Sequence, residues 1–324
     1  MSYAKAREIA VTDVPVIDVA PLRNKEPAGL RYVADAMRSA AEHAGFFYVR
    51  NHGISSELIE RVDALGREFF AQSIERKLTV APLAHHRGFL QIGQAKMHSK
   101  AKPDLKESFI WGLDVAADDP DYLAGNRMIG PNRWPDFMPH MRASLNEYMA
   151  AANDCGQMLL QAFAVSLNVA PQRFTGQFHK PVSRGSLVYY PAQPPDAGDR
   201  QFGVSPHTDY GVITLLHQDK VGGLQVSNRR GEWVTAHPIQ DTLVINVGDL
   251  LARWSNDRFK STPHRVVNTS GRERLSIAVF VDPDYDTAIE PVVAAGEQAR
   301  HAPTRCGDYI LGRFDASFAY RKSN

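Results

Sequence analysis

The sequence predicts a mainly β fold with flanking helices, an α+β chain whose core is a sandwich or jelly roll. Two observations carry this. From about residue 180 onward, seven or eight short β-rich runs follow one another within about 100 residues, without a helical pattern between them. Before that point, apolar residues recur mostly at steps of three and four, the spacing of helices with one buried face. Helices of the first region are therefore expected to pack against the sheets of the second.

In chain order, VPVIDV (14–19) is a strand candidate by its β-branched content. From Ala28 to Ala44, the residues Leu30, Val33, Met37, Ala40 and Ala44 fall on one helical face, and Gly45 follows as a helix stop. FFYVRN (46–51) reads as a buried strand. Ser55 can cap a second helix with the apolar face Leu58, Ile59, Val62, Leu65 and Phe69. A third helix, Pro139 to Leu167, carries Met141, Leu145, Tyr148, Ala152, Cys155 and Leu159 on one stripe, which makes Cys155 a buried core thiol. The β-rich runs are SLVYY (186–190), VITLLHQ (212–218), GLQVS (223–227), EWVTA (232–236), TLVINV (242–247), HRVVN (264–268) and RLSIAVFV (274–281). Asn228 to Gly231 forms a hairpin turn between two of them. The expected organisation is a helix-rich region over 1–178 packed on a catalytic core over 179–324, together one compact unit.

Composition narrows the function. The 324 residues hold 37 Lys+Arg against 36 Asp+Glu, a net charge of +1, so no basic field for nucleic acid exists. Hydrophobic residues at 44% and charged residues at 23% fit a soluble globular chain and not a disordered one. Two cysteines are too few for a disulfide scaffold or a thiolate metal site. The N-terminal stretch lacks the apolar core of a signal peptide, and no apolar run is long enough to span a bilayer, so a cytoplasmic protein is expected. For the same reason Asn268-Thr269-Ser270 is not expected to be glycosylated.

Of the 12 histidines, His207 and His264 point to chemistry. In Ser205-Pro206-His207-Thr208-Asp209, an extended backbone would project His207 and Asp209 from one face. His264 stands at the head of a later strand. Two imidazoles and one carboxylate on one face of an octahedron form the facial triad of non-haem Fe(II) oxygenases, which leaves positions open for a chelating co-substrate and dioxygen. Within RLSIAVFV, Arg274 and Ser276 share a strand face. A guanidinium there is expensive unless it meets an anion, such as the far end of a dicarboxylate whose near end chelates the metal. A structural ion pair, for instance with Asp249, is the competing expectation.

These motifs resemble the iron- and 2-oxoglutarate-dependent dioxygenase superfamily, in the branch of isopenicillin N synthase and the plant flavonoid and gibberellin oxygenases. The pattern is His207, Asp209, then His264 at a separation of 55 residues, then Arg274 and Ser276. VINVGD (244–249), WSN (254–256), STPHRV (261–266), GFFYVRNHGI (45–54), PDLKESFIWG (103–112) and GPNRWPD (130–136) extend the likeness over nearly the whole chain. The resemblance implies a double-stranded β-helix (jelly-roll) core. It implies Fe(II) held by His207, Asp209 and His264, and the 5-carboxylate of 2-oxoglutarate held by Arg274, Ser276 and Tyr190. It further implies oxidation, by default hydroxylation, of a small organic substrate with dioxygen, releasing succinate and CO2.

Val188 stands where plant members often carry Asn near the co-substrate, and the C-terminal FDASFAYRKSN has no Gln of the kind that binds iron in isopenicillin N synthase. Two other readings follow: an oxidase of the same fold that does without 2-oxoglutarate, and a non-redox jelly-roll metal or small-molecule-binding protein. Substrate contacts are expected from the 85–112 stretch, Phe280 and Phe314 to Tyr320, with Lys100 and Lys102 able to attract an anion if their loop borders the site. His52 and His217 are expected to be structural, and Asn246 and Asp249 to be structural or to support the metal ligands. The sequence leaves the oligomeric state open.

Overall fold

The computed structural model describes residues 14–83, 85–94, 102–193 and 201–318. The chain runs β1 (Val16–Asp18), α1 (Ala20–Arg23), α2 (Gly29–His43), β2 (Phe46–Arg50), α3 (Ser56–Phe70), α4 (Ile74–Leu78), β3 (Gly88–Leu90), β4 (Glu107–Gly112), α5 (Pro120–Leu123) and α6 (His140–Ser166). There follow β5 (Arg184–Tyr190), β6 (Val204–His207), β7 (Ile213–Gln218), β8 (Leu224–Ser227), β9 (Trp233–Thr235), β10 (Thr242–Val247) and α7 (Asp249–Trp254). β11 (His264–Val266), β12 (Arg274–Val281), β13 (Ala288–Ile289), β14 (Thr304–Arg305) and α8 (Cys306–Ser317) complete it.

Local sequence accounts for the long helices. Ser55 caps α3 by accepting the Leu58 N–H at 3.2 Å, and α3 buries Leu58, Val62 and Phe69 while Ile59 and Leu65 are half-buried. In α2, Val33, Met37 and Ala40 are buried, whereas Leu30 is only half-buried. Gly45 ends that segment at φ +69°, and a Cβ there would stand 2.2 Å from the Lys260 carbonyl oxygen, so only glycine fits. α6 buries the whole expected stripe, Cys155 included, and burial pushes that thiol up to about 12.

An eight-stranded sheet has the order β1-β2-β10-β7-β12-β5-β4-β3, antiparallel except for the β1–β2 pair. A four-stranded sheet has the order β6-β11-β8-β9. The two sheets make a jelly roll of unequal halves. Both faces of the large sheet are covered, which is why its strands read as continuous apolar runs. In β12, Leu275, Ile277, Val279 and Val281 face the helices and join the main hydrophobic core, while Arg274, Ser276, Ala278 and Phe280 line the cavity between the sheets. In β5, Leu187 faces the helices, and Arg184, Ser186, Val188 and Tyr190 face the cavity. A second apolar cluster, including Phe46, Val204, Leu224, Val226 and Val266, fills the space between the sheets.

The structure departs from expectation at several elements. The β-rich stretch is interrupted by α7, so it is not free of helix, and α8 follows it. The first region contributes more than helices, because β1 to β4 supply four strands of the eight-stranded sheet. The expected turn is present, with the Gly231 N–H donating to the Asn228 carbonyl at 2.9 Å. Asn268 is buried, and its amide donates to the carbonyls of Arg272 and Pro191 at 2.8 and 3.3 Å.

Candidate metal centre and co-substrate pocket

β6 and β11 are antiparallel neighbours, with His207 directly opposite His264. The extended run ends at His207, and Asp209 lies two residues beyond in the following loop, yet one donor atom from each of the three residues converges within 4.8 Å of the others. Nε2 of His207 and Nε2 of His264 each stand 3.7 Å from Asp209 Oδ1. The far side of every ligand is tied down. The Nδ1–H of His207 donates to the Ser205 carbonyl at 2.8 Å, and that of His264 to the Thr262 carbonyl at 3.2 Å. Asp209 Oδ2 accepts from the Thr214 hydroxyl at 2.6 Å and the Asn246 amide at 2.8 Å. Two Nε2 lone pairs and one carboxylate oxygen are thus left facing each other, a donor set that fits a divalent metal and in particular the facial triad.

The electrostatics agree with a neutral His207 and a charged Asp209 carboxylate. Burial, helped by the neighbouring His264 and opposed by Asp209, pushes His207 down to about 3. Burial works against the charge on Asp209, but His264, His207, Thr214 and Asn246 outweigh it and hold the carboxyl below its ordinary value.

Along the large sheet, Arg274 lies opposite Tyr190 and is fully buried. Its Nε donates to the Gly222 carbonyl at 2.5 Å, Nη1 to the Ser276 hydroxyl at 3.1 Å and Nη2 to Gln218 Oε1 at 3.3 Å. The guanidinium carbon lies 4.7 Å from the Tyr190 ring centre. Burial pushes the Tyr190 phenol up, with Arg274 and Ser276 acting the other way. Among the described residues Arg274 has no carboxylate partner. The ion pair with Asp249 is therefore not formed: Asp249 accepts from the Ser261 hydroxyl at 2.6 Å and pairs with Arg313 at 3.3 Å. A buried guanidinium whose partners among the described residues are all neutral can receive an anion.

One cavity joins the triad to Arg274, Ser276 and Tyr190. Phe280 lines it as expected, as do Phe314 and Phe318 of the C-terminal segment, whereas residues 319 and 320 lie outside the described part. From the 85–112 stretch, His86, Leu90, Gln91, Lys106, Ser108 and Ile110 contribute. Lys102 is exposed and does not line the cavity, and Lys100 lies outside the described residues. His52 is structural: it is buried, and its Nδ1 accepts the Ile54 N–H at 3.2 Å. His217 lies in β7, away from this cavity.

Two side chains at the site escaped the sequence reading, and a third, Lys106, was covered only by the 85–112 stretch. Thr214 holds Asp209, Arg184 lines the cavity with its guanidinium carbon 4.4 Å from the Phe280 ring centre and 4.6 Å from that of Phe314, and Lys106 lines it just before β4. The alternation of Arg184 and Ser186 with apolar neighbours in RGSLVYY was the available signal, since it sets both on the face that carries Tyr190.

A jelly roll holding this triad beside a buried arginine defines the non-haem iron class of oxygenase. Comparison with known proteins gives the family: the chain belongs to the 2OG-Fe(II) oxygenase superfamily, whose pattern matches residues 184–283, and residues 14–137 match the N-terminal region described as that of the non-haem dioxygenase in morphine synthesis. Among curated relatives, the 2-oxoglutarate-Fe(II) type oxidoreductase hxnY of Emericella nidulans is 34% identical, covering 97% of this chain and 94% of its own. Homoarginine-6-hydroxylase 2-ODD-C23 of Glycine max is 35% identical, covering 87% and 88%. Among solved structures, a full-length Neurospora crassa protein crystallised in complex with alpha-KG superposes with a TM-score of 0.83 at 32% identity, covering 93% of this chain and 95% of that one. A second structure of the same Neurospora crassa protein contains thymine as well. The protein is thus an Fe(II)- and 2-oxoglutarate-dependent dioxygenase that oxidises a small organic substrate, and the comparisons favour this over the 2-oxoglutarate-independent oxidase and the non-redox binder. Among the described residues no helix is long and apolar enough to cross a membrane.

Proposed function

We propose that His207, Asp209 and His264 hold the Fe(II), that Arg274, Ser276 and Tyr190 hold the 5-carboxylate of 2-oxoglutarate, and that Phe280 contacts the prime substrate. The observation that carries this is the convergence of three donor atoms whose other polar atoms are already engaged. Bound iron would supply the activation of dioxygen, and the chain's own residues supply position. Arg274 and Ser276 anchor one end of the dicarboxylate and so aim the other toward the triad. Phe46, Leu216 and Phe280 make the lining apolar, which excludes water from the reacting region.

Hydroxylation is the proposed outcome, on a small organic molecule in the cytoplasm and without a nucleic-acid partner. The relatives' substrates by name, homoarginine and thymine, support the size class, and the net charge of +1 supports the absence of nucleic acid. The two regions, 1–178 and 179–324, are proposed to work as one unit, supported by the four strands that the first lends to the large sheet. Adding Fe(II) and 2-oxoglutarate without oxygen is expected to give a weak visible charge-transfer band, absent in His207→Ala and strongly reduced in Arg274→Ala. Metal-loaded wild-type protein that gives no band, or an unchanged band in both variants, rejects the assignment.

A further inference from the structure

Beyond the metal and co-substrate groups, the cavity holds a cation that makes no hydrogen bond or close ion pair among the described residues. Its described lining includes three strong bases, Arg274, Arg184 and Lys106, but a single carboxylate, Asp209, which belongs to the triad. Arg274 is matched to the 5-carboxylate of 2-oxoglutarate. Arg184 has a resident counter-ion, Asp282, with Nη1 to Oδ2 at 3.3 Å. Lys106 has neither a hydrogen bond nor an ion pair among the described residues. The charged groups that act on it are Asp104 and Asp209, and it acts in turn on His207. Asp104 Oδ1 accepts the Ser205 N–H at 2.9 Å while its Oδ2 is buried without a hydrogen bond among the described residues, and burial, opposed by Lys106, pushes its carboxyl up.

The strand holds Lys106 in this position. Its neighbour Glu107 is buried outside the cavity lining and pairs with Lys77 at 2.7 Å, while Ser108 and Ile110 line the cavity as Lys106 does. Strand alternation therefore points Lys106 inward, and the Lys77–Glu107 pair keeps β4 from turning it away. An inward ammonium that no carboxylate meets at ion-pair distance among the described residues is costly, and an anion beside it offsets that cost.

We propose that Lys106 selects an anionic prime substrate, its ammonium receiving a carboxylate of that substrate beside the triad. This rests on the site reading above. On that reading 2-oxoglutarate would leave Lys106 free, because Arg274 and Ser276 would hold one of its carboxylates and the metal the other. The aromatic lining, Phe46, Phe280, Phe314 and Phe318, favours an aryl or similarly apolar body behind the carboxylate.

The test uses the iron-loaded, 2-oxoglutarate-bound protein and three pairs of probes: benzoate, phenylacetate and 4-hydroxyphenylacetate, each against its primary amide. Succinate release gives kcat and KM, and calorimetry on the anaerobic Mn(II) and 2-oxoglutarate complex gives binding without turnover. Wild-type protein is expected to favour at least one acid over its amide. Lys106→Met is expected to lower kcat/KM for that acid by about 10- to 100-fold through KM, with Lys106→Arg retaining the preference. The dissociation constant of 2-oxoglutarate, read from the visible band, is expected to stay within about twofold in Lys106→Met. No binding or stimulation by any acid, equal use of acids and amides, or a preference that survives Lys106→Met overturns the proposal. A weakened 2-oxoglutarate constant with acid KM unchanged overturns it too, by giving Lys106 to the co-substrate. Loss of the visible band in wild-type protein is a different result and strikes the site reading itself.

Discussion

Asp209 carries two tasks on two oxygens: Oδ1 faces the imidazoles and Oδ2 is held by Thr214 and Asn246. A carboxylate held at one oxygen cannot rotate, so its other oxygen stays aimed at the metal position. Asn246→Leu removes one of the two donors at a position that is 3% exposed, where water cannot replace it. Iron affinity, measured by Fe(II) or Mn(II) titration, is expected to fall by about 10-fold or more while the fold is retained. Unchanged affinity would show that Thr214 alone positions the carboxylate. The triad and Arg-x-Ser were legible because their spacing along the chain is itself the motif. Thr214 was not, because its role depends on where the loop between β6 and β7 places Asp209. Lys106 was not singled out within the 85–112 stretch for a related reason: a lysine beside a strand is ordinary in sequence, and its place in the cavity without a close ion pair among the described residues marks it.

At the scale of elements, β4 shows what the helices do for the site. It brings Lys106, Ser108 and Ile110 to the cavity, and the buried Lys77–Glu107 pair links it to α4. Lys77 also donates to the Phe70 carbonyl at 3.1 Å, so the pair is satisfied beyond its own charges. Lys77→Ala leaves Glu107 buried without compensation and is expected to cost about 3–5 kcal/mol by urea unfolding. The double variant Lys77→Met/Glu107→Leu is expected to recover most of that loss, and a double variant no better than the single one would show that the pair is needed for more than charge balance. The readable elements were those with a strong period, such as α6, or a long β-branched run, such as β12. α7 was missed because six residues, DLLARW, give too little period to separate a helix from a turn. α8 contains Gly307 and Gly312, which depress its helix signal, yet the close approach of Tyr285 to Gly307 explains the first of them: a Cβ there would meet the Tyr285 ring at 2.1 Å.

For the whole molecule, buried histidines outside the metal centre set an acid limit on stability. Burial, reinforced by His217 and Arg23 and opposed by Asp241, pushes His52 down to about 4. Burial also lowers His85 and His217, the latter with Nδ1 buried and without a hydrogen-bond partner among the described residues. Each imidazole takes up a proton near its ordinary value of about 6.5 in the unfolded chain and resists it in the folded one. Between those two values the unfolded state binds more protons, so stability rises with pH through that window and falls as the solution is acidified from about 6.5 to about 4. His52 alone accounts for a loss on the order of 3 kcal/mol across its window, complete once the pH lies below its folded value. His52→Asn keeps an acceptor for the Ile54 N–H and removes the titration. Its urea midpoint is therefore expected to stay close to wild type at about pH 7.5 and to drop less than wild type at about pH 4.5. Equal drops in the two proteins would mean that His52 becomes charged in the folded state, against the burial that surrounds it.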